Sequence, residues 1–239
     1  MVKPIRFGQG GERDVGSPVS TAKIYDSQDA DELVFLDITA SSESHGLMLD
    51  AISEVAKRCF IPLTAGGGVR STDDFRRILR AGADKVSINT HAVDDPDLIS
   101  RAAQIFGNQC VIVSIDVKKV ESGIYRVYTH RGTVDSGLEM IDWAKRAVDM
   151  GAGEILLTSI DNEGMMRGYD LDMIRMVSDA VNVPVIANGG AGTRQDFVDV
   201  VQIGRASAVA ASSVFHFSDS NLTQVKTFIY NSGVPVRPI

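Results

Sequence analysis

Apolar residues in this chain gather in short, nearly unbroken runs that stop at a glycine, a carboxylate or an amide, and stretches with three-to-four spacing lie between the runs. Runs of the first kind fit buried parallel strands, and the spaced stretches fit amphipathic helices. The pattern predicts strands over Leu33–Ile38, Ile61–Ala65, Lys85–Ile88, Cys110–Ile115, Glu154–Ser159, Val185–Asn188 and Ser207–Ala211. Helices are predicted over Pro18–Ala30, Leu47–Cys59, Thr72–Arg80, Pro96–Phe106, Gly137–Met150, Leu171–Ala180, Arg194–Ile203 and Leu222–Asn231. Tyr125–His130 alternates in polarity and reads as a short β-excursion reaching Gly132, while Ser212-Ser213 reads as a turn. The glycine-rich residues 1–18 read as a loop with no strand before it. Strict alternation of strand and helix implies a parallel sheet with right-handed crossovers.

Two of the runs are copies of one another. Val185–Gly192 (VIANGGAG) and Thr64–Arg70 (TAGGGVR) place Gly189-Gly190 and Gly67-Gly68 at the same point after a strand. The offset of 122 (189 − 67) also pairs Ser71 with Thr193, Asp74 with Asp196, Phe75 with Phe197, Gly82 with Gly204 and Glu32–Ile38 with Glu154–Ile160. Seven strands are counted where a closed barrel needs eight. The strand ending at Asp116 has its counterpart before residue 1, so the missing strand is the first. The expected architecture is therefore α/β, a (β/α)8 TIM barrel of two half-barrel repeats with the first strand missing, forming one N-terminally short domain over 1–239.

The formal charge of −7 and the absence of a Lys/Arg stripe argue against a nucleic-acid partner. No apolar run is long enough to span a membrane, and the N-terminus lacks the apolar core of a signal peptide. Cys59 and Cys110 are isolated and fit no metal-ligand spacing, which suggests a reducing, cytoplasmic setting.

The paired glycine turns, each opening a helix, are the first candidates for chemistry. Backbone N–H groups at Gly67, Gly68, Gly189 and Gly190, helped by the Thr90 and Ser213 hydroxyls, form two anion sites on opposite sides of one mouth. A ligand with two phosphates follows. Asn89 closes a strand beside Thr90, and Asp161 and Gly164 share the loop after the Glu154–Ser159 strand, so these residues join the substrate-binding set. Asp116, at a strand end between the anion sites, is the candidate acid or base; a helix cap or an ion pair with Lys118 or Lys119 is the plainer alternative. Asp37 serves with it or orients loop donors. Glu32, Lys85 and Glu154 fall at strand beginnings, where a floor-sealing ion-pair ring is the plain reading. His45, His91, His130 and His216 show no metal spacing and read as solvated or capping side chains, so no metal is expected.

LVFLDITAS, PLTAGGGVR, GADKVSINT, VIVSIDVKKV, GAGEILLTSID, ANGGAG and SSVFHF, in that order, resemble the cyclase subunit of imidazole glycerol phosphate synthase. The resemblance implies a cofactor-free lyase/cyclase of histidine biosynthesis. Ammonia from a glutaminase partner crosses the barrel and attacks phosphoribulosyl formimino aminoimidazole carboxamide ribotide, giving imidazole glycerol phosphate and aminoimidazole carboxamide ribotide. It also implies catalysis by Asp116, substrate contact by Lys3 in a mobile loop, and an ammonia gate of Glu32, Lys85 and Glu154. A second catalytic aspartate and an arginine of the gate are implied on the first strand, expected ahead of Met1. Gly16-Ser17-Pro18 stands where the family has Gly-Asp-Pro, and Glu163 replaces an aspartate. CFIPL, SIDVKK, YRVYTH and SIDNEGMMRGYDLDMI are similar to a paralogous branch, which implies the alternative of an ammonia-channelling partner for an amidotransferase in surface-sugar amidination.

Overall fold

A computed structural model describes residues 2–6, 9–38, 47–120 and 123–237, with side chains described from residue 15 onward. The chain begins with β1 (Val2–Arg6) and β2 (Gln9–Asp14), which pair antiparallel. The expectation of a plain loop over 1–18 is thus corrected: Gly8, Gly10 and Gly11 mask a hairpin whose apolar alternation is too sparse to signal strands.

There follow α1 (Pro18–Ser27), β3 (Leu33–Leu36), α2 (Leu49–Ala56), β4 (Leu63–Gly66), α3 (Thr72–Arg80), β5 (Lys85–Ile88), the short α4 (Thr90–Asp94) and α5 (Asp97–Phe106). The second part contains β6 (Val111–Lys119), β7 (Tyr125–Thr129), β8 (Val134–Glu139), α6 (Met140–Asp149), β9 (Glu154–Ser159), α7 (Leu171–Ser178), β10 (Val185–Asn188), α8 (Arg194–Gln202), β11 (Ala208–Ala210), α9 (Ser213–Phe217) and α10 (Leu222–Asn231). Seven parallel strands follow the order β11-β10-β9-β6-β5-β4-β3, wrapped by helices in the manner of a TIM barrel. β6 runs past the sheet, and its far end pairs antiparallel with β7, which pairs with β8. Residues 137–139, predicted as the start of a helix, are instead the end of β8, and α6 begins at Met140.

The repeat is carried into the backbone. α1 and α6, α2 and α7, β4 and β10, and α3 and α8 have the same lengths and begin 122 residues apart (140 − 18, 171 − 49, 185 − 63, 194 − 72). Leu33 N–H donates to Pro62 O in one half, and Ile155 N–H to Pro184 O in the other. Ser71 and Thr193 cap α3 and α8 by accepting from the Asp74 and Asp196 amides. Asp74 Oδ2 accepts from Arg70 N–H and Asp196 Oδ2 from Gly192 N–H, each at 2.9 Å. Such a cap is worth about 1 kcal/mol, and its recurrence fixes both helix starts at one distance from the preceding strand. The two hairpins, β1–β2 and β7–β8, also fall at related places in the halves, each ahead of a matched helix.

One apolar cluster, running from Ala22 to Val234, fills the layer between sheet and helices. A smaller one, Ile112, Leu156 and Ile186 with Leu36 and Ala210, lies on the concave side. Alternation along β9 explains the split: Ile155 and Leu157 join the outer layer, and Leu156 joins the inner one. Each such buried side chain contributes roughly 1.5–3 kcal/mol before entropy is counted. The last helix is stitched back onto the first by Leu222 N–H donating to Gln28 Oε1 (3.3 Å) and by buried Lys226, whose Nζ donates to Asp29 O (3.0 Å) and Asp31 Oδ1 (2.9 Å).

Candidate functional site

Both glycine pairs have the left-handed backbone that side chains resist: φ is 104° and 69° at Gly67 and Gly68, and 93° and 116° at Gly189 and Gly190. The first glycine of each pair is also crowded in the same way. A Cβ at Gly67 would lie 2.2 Å from Asp37 O, and one at Gly189 would lie 2.9 Å from Ser159 O, the carbonyl 122 residues on (159 − 37). The turns therefore press against the neighbouring strand end, where parallel-sheet enzymes bind ligands.

Gly67 and Gly68 line a cavity of about 570 Å³ together with Asp37, Asn89, Thr90 and Asp116. Gly164, Gly189, Gly190 and Ser213 line a small niche that shares Glu163 and the stretch 210–212 with the cavity wall. The structure thus brings together nearly all the residues singled out for substrate. Asp161 stands apart from both linings: its Oδ2 accepts from Lys119 N–H at 3.2 Å, so it ties the loop after β9 to the end of β6. Arg167 steadies the same loop by donating to Asp161 O and Asn162 Oδ1. Lys3 lies in β1, and its side chain is outside the described residues, as is the whole of His45.

Asp116 is only 5% exposed and lies in a chain of donors. Asn89 Nδ2 donates to its Oδ2 at 2.7 Å, and Thr158 also hydrogen-bonds the carboxyl while accepting from Asn188 Nδ2 at 3.1 Å. Burial penalises the carboxylate and pushes its pKa up from 3.8 to about 7; the Asn89 and Thr158 hydrogen bonds pull the other way, and the nearby Glu163 charge pushes further up. Neither Lys118 nor Lys119 pairs with it in any described contact, and it caps no helix, so the plainer readings of Asp116 give way to a cavity group poised near neutrality. Asn89 Oδ1 is buried and has no hydrogen-bond partner among the described residues, which leaves an acceptor at the cavity for a ligand donor.

At the opposite end of the strands, Lys85 Nζ lies 2.7 Å from Glu154 Oε1 and 2.9 Å from Glu32 Oε2. Burial alone would lower the Lys85 pKa, but the hydrogen bonds and charges of Glu154 and Glu32 outweigh it and hold the ammonium above its usual value. Phe60, just ahead of β4 at this same end, is 89% exposed.

His91, His130 and His216, read from the sequence as solvated or capping side chains, line the cavity, as does Arg131, which the sequence did not single out. His216 Nε2 is 2.9 Å from the Tyr25 hydroxyl, whose pKa burial raises to about 12. The missed signal was position: His91 follows the Asn89-Thr90 strand end, and His130 ends the β-excursion. Among the described residues no three His, Cys, Asp or Glu side chains cluster as metal ligands, and no helix is long and apolar enough to cross a membrane.

Residues 3–221 match the family described as "Histidine biosynthesis protein". The imidazole glycerol phosphate synthase subunit HisF of Caulobacter vibrioides (strain NA1000 / CB15N) is 51% identical over 226 residues, covering 94% of this chain and 87% of that protein. The protein of the same name from Geobacillus thermodenitrificans (strain NG80-2) is 51% identical over 238 residues, covering 99% of this chain and 94% of its own.

Proposed function

The chain belongs to the histidine biosynthesis protein family, and from that premise we propose that it is the cyclase subunit of imidazole glycerol phosphate synthase. It converts phosphoribulosyl formimino aminoimidazole carboxamide ribotide and ammonia into imidazole glycerol phosphate and aminoimidazole carboxamide ribotide. The observation that carries this reading is one buried aspartate between two crowded glycine turns of the same build. A substrate with a phosphate at each end would engage both turns. The backbone of Gly67-Gly68 with Thr90 would receive one phosphate, and Gly164, Gly189, Gly190 and Ser213 the other.

Asp116 would move protons at the centre of the bound molecule. With a pKa of about 7 it is present in both forms near neutral pH, so it can protonate a leaving nitrogen and take a proton from an adding one. Asn89 holds the carboxyl by one amide group and offers its carbonyl oxygen to the substrate. Asp37, Asp94 and Glu163 are further carboxylates in the cavity wall.

Ammonia would enter through the Glu32–Lys85–Glu154 cluster, and a glutaminase would dock on that face, where Phe60 offers an apolar anchor. Lys3, on the β1–β2 hairpin, is proposed to reach the substrate from the opposite face. The test is turnover of the ribotide with ammonium salts alone, followed by mass spectrometry of both products. Recovery of intact ribotide from natively folded protein would remove the proposal.

A further inference from the structure

The two glycine turns are built alike, yet the walls around them differ in charge. The cavity that Gly67 and Gly68 line also includes Arg70, His91, His130 and Arg131, with Asp37, Asp94, Asp116 and Glu163 as its carboxylates. Asp94 is already engaged, 3.9 Å from His91 Nδ1. Among the described residues, the niche around Gly189-Gly190 is lined by no basic side chain and has Glu163 in its wall. Two of the cavity's basic residues, His130 and Arg131, come from the turn between β7 and β8; Arg70 and His91 lie outside it.

That turn is conformationally expensive. His130, Arg131 and Gly132 take φ of 50°, 61° and 73° in succession, so two residues with side chains occupy a region that favours glycine. A turn with no task would place Gly or Asn there. It is also anchored: His130 N–H donates to Thr90 Oγ1 at 3.1 Å, and Thr129 Oγ1 lies 3.1 Å from His130 Nδ1. With its oxygen accepting from His130, the Thr90 hydroxyl keeps its own hydrogen for a ligand in the cavity it lines.

We propose that the β7–β8 turn is an anion clamp: the His130 and Arg131 side chains close over a phosphomonoester seated on Gly67-Gly68 while Thr90 donates to it from beside the turn. This end of the ligand is then held by charge, and the Gly189–Gly190 end by backbone and hydroxyl donors alone. An asymmetric diphosphate has its direction in the cavity set by that difference. The clamp rests on the diphosphate substrate proposed above, but its test need not.

Amide NMR of the whole chain, titrated with inorganic phosphate, reports on the two turns separately. In the parent protein the Gly67 and Gly68 amides should respond, with an affinity that falls as salt is added. In the double variant His130→Asn/Arg131→Asn, which keeps residues tolerant of the left-handed backbone, affinity at those amides should fall about tenfold or more. The Gly189 and Gly190 curves should stay unchanged and so vouch for the fold. Arg131→Lys should recover part of the loss. Identical Gly67–Gly68 curves in parent and double variant, or no response in the parent, would overturn the clamp. Ribotide turnover is measured alongside: a clamp that behaves as expected in a protein inert toward ribotide leaves the anion site standing and removes the substrate reading.

Discussion

Replacing Asp116 by Asn should uncouple the stability of the protein from pH over a defined window. The folded carboxyl titrates at about 7 against an ordinary value of 3.8, because burial disfavours its charge. The folded state therefore binds more protons than the unfolded state between these values. Stability contributed by this group is complete below about pH 4, declines as pH rises, and is lost above about pH 7. At about 1.36 kcal/mol per unit, a difference of some three units amounts to about 4 kcal/mol. The carboxamide introduced by Asp116→Asn would still accept from the Asn89 amide through its oxygen, so the variant keeps the contact and loses the charge. Urea unfolding of parent and variant at a series of pH values reads the effect. The variant's advantage should be near zero at about pH 4, grow by roughly 1.4 kcal/mol per pH unit, and level off above about pH 7. Turnover should fall by about a hundredfold or more at every pH. Parallel stability curves would show that Asp116 ionises like an ordinary surface carboxyl, and the argument from burial would fail.

Alanine at Gly67 should destabilise more than alanine at Gly189, since the added Cβ meets Asp37 O at 2.2 Å in one case and Ser159 O at 2.9 Å in the other. The backbone component of each is roughly 1–3 kcal/mol, and phosphate affinity measured by calorimetry should fall at the altered turn in both. Lys85→Met should leave Glu32 and Glu154 without their shared ammonium, lowering unfolding stability by roughly 1–3 kcal/mol. Its distinctive effect should be on the ratio of glutamine-supported to ammonium-supported turnover when the glutaminase is present. A ratio identical to the parent's would remove the gate.

The repeat was legible because it is written in spacing: a glycine pair, a cap and a helix stop recur at one offset, and the hydrogen bonds recur with them. Short elements were not. α4 and α9 are too brief to show a helical period, and the sequence offered only a strand end at Asn89-Thr90 and a turn at Ser212-Ser213. β8 was hidden because Leu138 and Met140 fit a helix start as well as a strand end. The site was legible as positions but not as energies. Asp116 stood out by its place at a strand end, whereas its near-neutral titration depends first on burial, and then on neighbours such as Asn89, Thr158 and Glu163, all of which only folding supplies. His130 and Arg131 were missed because a solvated histidine and a cavity wall look the same until the turn that carries them is seen.

The joint between the two repeats is short. β5 and β6 share three register pairs, as many as β4 and β5 within the first repeat, against six between β6 and β9 within the second. Lys85 to Glu154 below, Asn89 to Asp116 and His130 to Thr90 above, and Ser100 to Met150 between the helices add ties across it. Modular exchange of half-barrels between relatives is therefore constrained by the joint: a foreign half can be grafted only if it brings the same working residues, because the groups proposed to handle substrate and ammonia are also the rivets of the seam.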